Sequence, residues 1–314
     1  MAHNILITGS QGYIGKRLVT VLKEHHTVVG IDIVPTEGAD YPYYQVDVRS
    51  NQLVELIRQH EITHVVHLAS ILQPSNNPER DYDIDVNGTK NVLQACVITG
   101  VEHLTVTSSG AAYGYHPDNP EWLTEQHTLR GNDEFAYSRH KRLIEELLSQ
   151  YREQFPKLKQ LVLRPGTVLG KTTKNQITAL FNKPRLVAIK GSASPFVFIW
   201  DEDVLAIILR GVEDSKEGRY NLAGDGALTL KEIAQILNKP LLTLPAWLLK
   251  LALRLGKLTR LGRYGPEQIN FLRYRPVLSN TLLKEQFINL PTKTSAEVFA
   301  YYLAHNQELL DNDK

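Results

Sequence analysis

Short runs rich in β-branched and apolar residues recur through the first half of the chain, at 4–8, 27–33, 43–48, 64–69, 103–107 and 160–164. Between them, apolar residues return at helical spacing: Leu18, Val19 and Leu22; Leu53, Leu56 and Ile57; Val92, Leu93 and Val97; Leu143, Leu147 and Tyr151. Each such segment can lay one apolar stripe against a sheet face. Strands alternating with helices in this way predict an α/β protein built on a doubly wound parallel sheet. Past Arg164, Pro165 and Gly166 the rhythm weakens. From about residue 229 the chain reads as helices and loops, interrupted at Pro240, Pro245, Pro266, Pro276 and Pro291. The expected organisation is a sheet domain over 1–168, to which 196–225 returns, and a smaller, mainly helical lobe from 169–195 and 226–314. Neither an internal repeat nor a low-complexity tract interrupts this plan.

Charge changes the picture only locally. The 314 residues carry 35 Lys and Arg against 34 Asp and Glu, so there is no global electrostatic case for nucleic acid or a membrane surface as partner. The single cysteine, Cys96, cannot form an internal disulfide and lies in an apolar stretch, which reads as a buried thiol in a reducing compartment. No basic segment with a long apolar core precedes Asn4, and no later segment offers the roughly 18 uncharged residues of a membrane span, so a cytoplasmic protein is expected. One stretch is locally basic: Lys250, Arg254, Lys257, Arg260, Arg263, Arg273, Arg275 and Lys284 are opposed mainly by Glu267 and Glu285. With the apolar run 247–254 beside it, three readings stay open: an acidic substrate group, a peripheral membrane contact, or a solvated helix face over a core.

Three signals carry chemistry. The first is Thr8-Gly9-Ser10-Gln11-Gly12-Tyr13-Ile14-Gly15, placed between an apolar strand and a helix. Glycines there let backbone N–H groups and the helix N-terminus approach a pyrophosphate with no side chain in the way. The next strand ends in Asp32, about 20 residues on, where a carboxylate accepts ribose hydroxyls and repels the extra phosphate of NADP. The second signal is Tyr137 with Lys141, four residues or one helical turn apart, behind the helix-starting residues Asn132, Asp133 and Glu134. A cation beside a phenol stabilises the phenolate, so the pair suits proton exchange. The third is Thr107-Ser108-Ser109-Gly110 at the end of the strand 103–107, the end at which open α/β sheets place ligand groups.

The order of these motifs resembles the extended short-chain dehydrogenase/reductase family, which includes NAD-dependent epimerases and dehydratases. The resemblance covers most of the chain. It adds Asp47-Val48, His67-Leu68-Ala69, Asn87-Gly88-Thr89, Ser109 to Gly114, Leu163-Arg164-Pro165-Gly166, the stretch 198–204 and Tyr220 to Gly224. It implies a Rossmann sheet with a substrate lobe, NAD as cofactor, and hydride transfer to or from a secondary alcohol or ketone of a small-molecule substrate. By the same resemblance Ser109 orients the substrate oxygen, Tyr137 is the acid or base, and Lys141 binds the nicotinamide ribose and tunes the tyrosine. The dinucleotide is expected on Gly9, Gln11, Gly12, Tyr13, Ile14, Gly15, Asp32, Asp47, Val48, Leu68, Ala69, Ser70, Asn87, Thr107, Tyr137, Lys141, Arg164 and Pro165.

One departure bears on substrate. Sugar-nucleotide epimerases of this family usually carry an arginine just before the Phe-Ile stretch, where this chain has 190–197 without one. Phe196, Phe198 and Trp200 could instead line a less polar pocket, although their alternation suits a buried strand at least as well, and that reading is preferred. There is no Gly-x-Ser-x-Gly elbow and no zinc motif, and His64 and His67 lie on or beside a core strand, so no metal is expected. A dinucleotide-binding redox sensor or scaffold is the alternative, and the Tyr/Lys pair argues against it. A homodimer is compatible with the sequence.

Overall fold

The computed structural model describes residues 2–72, 75–258 and 268–309. In chain order its strands are β1 (Asn4–Thr8), β2 (Thr27–Asp32), β3 (Tyr43–Gln45), β4 (His64–His67), β5 (His103–Thr107), β6 (Lys159–Pro165), β7 (Thr167–Leu169), β8 (Leu186–Ile189), β9 (Phe198–Trp200), β10 (Gly218–Leu222) and β11 (Leu241–Leu244). Its helices are α1 (Tyr13–Leu22), α2 (Gln52–Gln59), α3 (Pro78–Tyr82), α4 (Gly88–Thr99), α5 (Ala136–Gln154), α6 (Gln176–Phe181), α7 (Asp201–Glu213), α8 (Leu230–Ile236), α9 (Ala246–Leu258), α10 (Gln268–Arg273), α11 (Thr281–Gln286) and α12 (Ser295–Ala304).

Seven strands form one parallel sheet in the order β10-β6-β5-β4-β1-β2-β3, so the strand order reverses on either side of β1. This is the doubly wound arrangement the alternating pattern predicts, and it leaves a crevice at the carboxyl end of β1. Each sheet face has its own core. Leu53, Leu56 and Ile57 of α2, Val92, Leu93 and Cys96 of α4 and Ile144 and Leu148 of α5 cover one face. Leu18, Val19 and Leu22 of α1, Ile207 and Ile208 of α7 and Leu283 of α11 cover the other. A third apolar cluster joins Phe181, Leu186, Phe196, Phe198, Ile233, Val298 and Phe299, away from both faces. Cys96 is fully buried, and that burial pushes its thiol up to about 12.

Several expectations are corrected in detail. The run 43–48 pairs only over Tyr43–Gln45, so Asp47 and Val48 leave the sheet, and the strand from His64 ends at His67 rather than at residue 69. The helix carrying Tyr137 starts at Ala136, without a side-chain cap. Asn132, expected to start it, instead accepts the Tyr115 amide at 2.7 Å through Oδ1. Within the C-terminal region, read as helices and loops, β11 pairs in parallel with β8. Both strands are short and lack the alternation that marks a half-buried strand. The expected basic stretch extends beyond the described residues: Arg260, Arg263 and Glu267 lie outside them.

Candidate active site

The turn from β1 into α1 closes only with glycine at two positions. Gly9 has φ +71°, and a Cβ there would meet the Ala69 amide nitrogen at 2.8 Å. A Cβ on Gly15 would lie 2.1 Å from the Gly9 carbonyl oxygen. Residues of this compactness bring α1 onto the sheet with its first turn bare, because Gly12 supplies no side-chain cap. The bare amides and the positive end of the helix suit a pyrophosphate.

Gly9, Gly12, Tyr13, Ile14 and Gly15 form one wall of a cavity of about 710 Å³. Asp32 stands on the same wall, its Oδ2 accepting the Gln11 amide at 2.9 Å and its Oδ1 the Val34 amide at 3.1 Å. Asp47 and Val48 extend that wall, and Arg49 clamps Asp47 through Nε at 2.9 Å and Nη2 at 2.6 Å. Those hydrogen bonds hold the Asp47 carboxyl below the usual range. Leu68, Ala69, Ser70, Thr107 and Pro165 complete the wall at the carboxyl ends of β4, β5 and β6. The cavity therefore runs along the carboxyl ends of the strands on both sides of the strand-order reversal, with Asp32 on its wall.

Tyr137, Lys141 and Ser109 border the same cavity. Lys141 Nζ lies 5.7 Å from the centre of the Tyr137 ring. It donates to Ser70 Oγ at 3.1 Å and to the Thr107 carbonyl at 3.2 Å, which aims the ammonium across the ends of β4 and β5. Ser70 Oγ in turn donates to Asp85 Oδ1 at 3.1 Å, and Asp85 Oδ2 meets His140 Nδ1 at 2.9 Å. Burial opposes the Asp85 charge, but the His140 hydrogen bond and the nearby Lys141 outweigh it and hold the carboxyl low. The two adjacent serines part company here. Ser108 Oγ donates to buried Glu145 at 2.6 Å, whereas Ser109 Oγ accepts the Ala111 amide at 3.1 Å at the cavity wall.

Three residues expected on the dinucleotide do not line the cavity. Gln11 turns its amide to the Tyr41 hydroxyl at 2.9 Å. Asn87 donates to Asp83 at 2.8 Å, because the chain takes a π-helical turn over Asp83–Asn87 that presents Ile84 to the cavity instead. Arg164 is buried in a clamp, its Nε 2.8 Å and its Nη2 2.5 Å from the Glu145 carboxylate and its Nη1 2.8 Å from the Tyr113 hydroxyl. Burial opposes that charge, and Glu145 more than offsets it. His67 is likewise engaged, by Thr8 at 2.7 Å and Thr89 at 3.0 Å.

One cavity residue comes from the basic stretch, for which an acidic substrate group is one of the open readings. Arg275 Nη1 donates to Ser194 Oγ at 2.8 Å, and its guanidinium stands 3.9 Å over the Phe196 ring and 5.2 Å from Phe271. Among the described residues its buried Nε has no hydrogen-bond partner. Burial pulls the guanidinium down to about 10. A desolvated cation on a cavity wall has the chemistry to receive an anion. In the sequence Arg275 is indistinguishable from Arg273, which stacks over Tyr274 instead. Of the three aromatic residues offered for a pocket, Phe196 lines it, while Phe198 belongs to the third core and Trp200 packs against that core.

A doubly wound sheet with a glycine turn, a carboxylate at the end of β2 and a Tyr/Lys pair on one cavity defines a dinucleotide-dependent enzyme of the short-chain class. The model of the NAD dependent epimerase/dehydratase family matches residues 5–223, and the chain belongs to that family, with NAD as its cofactor. An uncharacterized protein of Mycobacterium tuberculosis is 23% identical over 313 residues, covering 95% of this chain and 82% of that one. A UDP-glucose 4-epimerase of Neisseria meningitidis is 29% identical over 184 residues, about half of either chain (53% of each). In fold the chain is similar to the Thermus thermophilus UDP-glucose 4-epimerase, solved as its NAD complex, with a TM-score of 0.67, 24% identity and coverage of 90% and 92%.

Proposed function

We propose that this enzyme transfers hydride reversibly between NAD and a secondary alcohol or ketone of a small molecule that carries a phosphate-type anion. The observation that carries the reading is the shared cavity: Tyr137, Lys141 and Ser109 border the same space as the glycine turn and Asp32. When bound, NAD supplies the hydride acceptor or donor at C4 of its nicotinamide. Tyr137 takes the hydroxyl proton as the substrate carbon is oxidised and returns it on reduction. Lys141, fixed by Ser70 and Thr107, stabilises the phenolate and holds the nicotinamide-side ribose. Ser109 orients the substrate oxygen. Arg275 supports an anionic substrate group at the far end of the cavity, which restores the nucleotide-diphosphate sugars as candidates despite the missing arginine before Phe198. The N. meningitidis relative, by its name, acts on such a substrate.

Mass analysis of small molecules released from the purified protein, followed by incubation with UDP-glucose, tests the reading. NAD retained through purification, with conversion to a UDP-sugar epimer, fits an epimerase. Free NADH appearing in solution fits a dehydrogenase, and a cavity that holds no dinucleotide contradicts both.

A further inference from the structure

The basic stretch does not act as one unit. Lys284 pairs with Asp225, and Arg275 faces the cavity. Arg273 stacks over Tyr274, and among the described residues the other cations, Lys250, Arg254 and Lys257, belong to the amphipathic helix α9. On it, Trp247, Lys250, Leu251 and Arg254 follow at i, i+3, i+4 and i+7 and so share one face. Trp247 is 68% exposed and Leu251 47%, and Lys250 and Arg254 are exposed beside them. Large apolar side chains this open are not a solvated helix face over a core. The sequence around them is one-signed: residues 233–266 hold six Lys or Arg and no Asp or Glu.

We propose that the Trp247/Lys250/Leu251/Arg254 face of α9 docks onto an anionic lipid bilayer surface. The mixture on the face selects this partner. A protein-binding patch depletes lysine from its apolar centre, whereas an interfacial helix sets Lys and Arg beside Trp and Leu, their stems lying on the apolar layer and their charges reaching the headgroups. The absence of carboxylates from 233–266 matches a negatively charged leaflet. The contact is peripheral, since among the described residues no helix is long and apolar enough to cross a membrane. Its placement has a consequence for the cavity. Helix α9 packs on α10, and α10 gives the cavity its Phe271, so docking brings this wall of the cavity toward the lipid surface. This inference is independent of the identity of the substrate.

Co-sedimentation of the NAD-loaded protein with vesicles decides it. Binding to phosphatidylcholine vesicles containing about 30% phosphatidylglycerol, at roughly 50 mM salt, is expected to exceed binding to pure phosphatidylcholine at least tenfold and to weaken as salt rises. The double variants Lys250→Glu/Arg254→Glu and Trp247→Ser/Leu251→Ser should each lose at least tenfold in vesicle affinity, with NAD affinity unchanged. All four side chains are exposed, so both variants should fold, and if the serine pair unfolds the charge-reversal pair decides alone. Equal binding to both vesicle types, no binding to either, or parental binding by the variants overturns the proposal. So does self-association that the serine pair abolishes in a protein indifferent to vesicles, which would assign the face to a second copy of the chain.

Discussion

Asp85 and His140 meet at 2.9 Å, both about 2% exposed, immediately behind the lysine of the Tyr/Lys pair. Through Ser70, whose hydroxyl donates to Asp85 and accepts from Lys141, this buried carboxylate sets where the Lys141 ammonium points. Asp85 is thus a positioning residue. Asp85→Asn keeps the shape but removes the charge, and is expected to weaken NAD binding about tenfold, or roughly 1.4 kcal/mol. Asp85→Ala removes the buried partner of His140, Ser70 and the Ile71 amide and should cost about 1–3 kcal/mol of stability. Calorimetric NAD titration and thermal unfolding measure the two effects, and parental values in both would remove Asp85 from the network.

Asp32 is expected to govern the choice of dinucleotide. Its carboxylate borders the cavity and is oriented by the Gln11 and Val34 amides, so it cannot swing away from a 2′-phosphate without losing both hydrogen bonds. NAD should bind at least tenfold more tightly than NADP, about 1.4 kcal/mol. Titration of both cofactors checks this, and equal affinities would show that Asp32 does not face the ribose.

Buried histidines set the acid limit of stability. His64, whose ring centre lies 4.0 Å from that of His3 and 5.3 Å from that of His103, is pulled down to about 3, by burial first and then by those neighbours. His67 is pulled down to about 4 by burial and then by Lys141. Both are neutral in the folded protein, while the unfolded chain binds their protons near pH 6.5. Their contribution is therefore complete above 6.5 and lost as pH falls below it, at about 1.4 kcal/mol each by pH 5.5. The unfolding midpoint should drop between pH 7 and 5.5, before most carboxylates titrate, and drop less in His64→Gln. A midpoint flat over that range would contradict the assignment.

How much of this was legible in the sequence follows from how local each signal is. The sheet, its crossover helices and the glycine turn are written in neighbouring residues, as periodicity and as positions where a side chain would collide. The placement of Tyr137 beside Lys141 needs only one helical turn. Arg164 illustrates what is not local: a motif put it near the dinucleotide, but Glu145, on a different element, claims its guanidinium. Asn87 stands off the cavity wall at the end of a π-helical turn, and no residue pattern announces that turn. Arg275 was hidden in a run of like charges, and only the folded chain sets it over Phe196, apart from its neighbours.

The central claim is that Tyr137 exchanges the proton that accompanies hydride transfer. It is tested most directly by loading the protein and its Tyr137→Phe variant with NAD, presenting a panel of nucleotide sugars and secondary alcohols, and following nicotinamide reduction by absorbance. The parent should reduce its NAD with at least one member of the panel. The variant keeps the ring and the contacts of Lys141, so its NAD affinity should stay close to the parent's while the reduction rate falls by about 10² or more. A Tyr137→Phe protein that reduces NAD at the parental rate with the same compound would contradict the account.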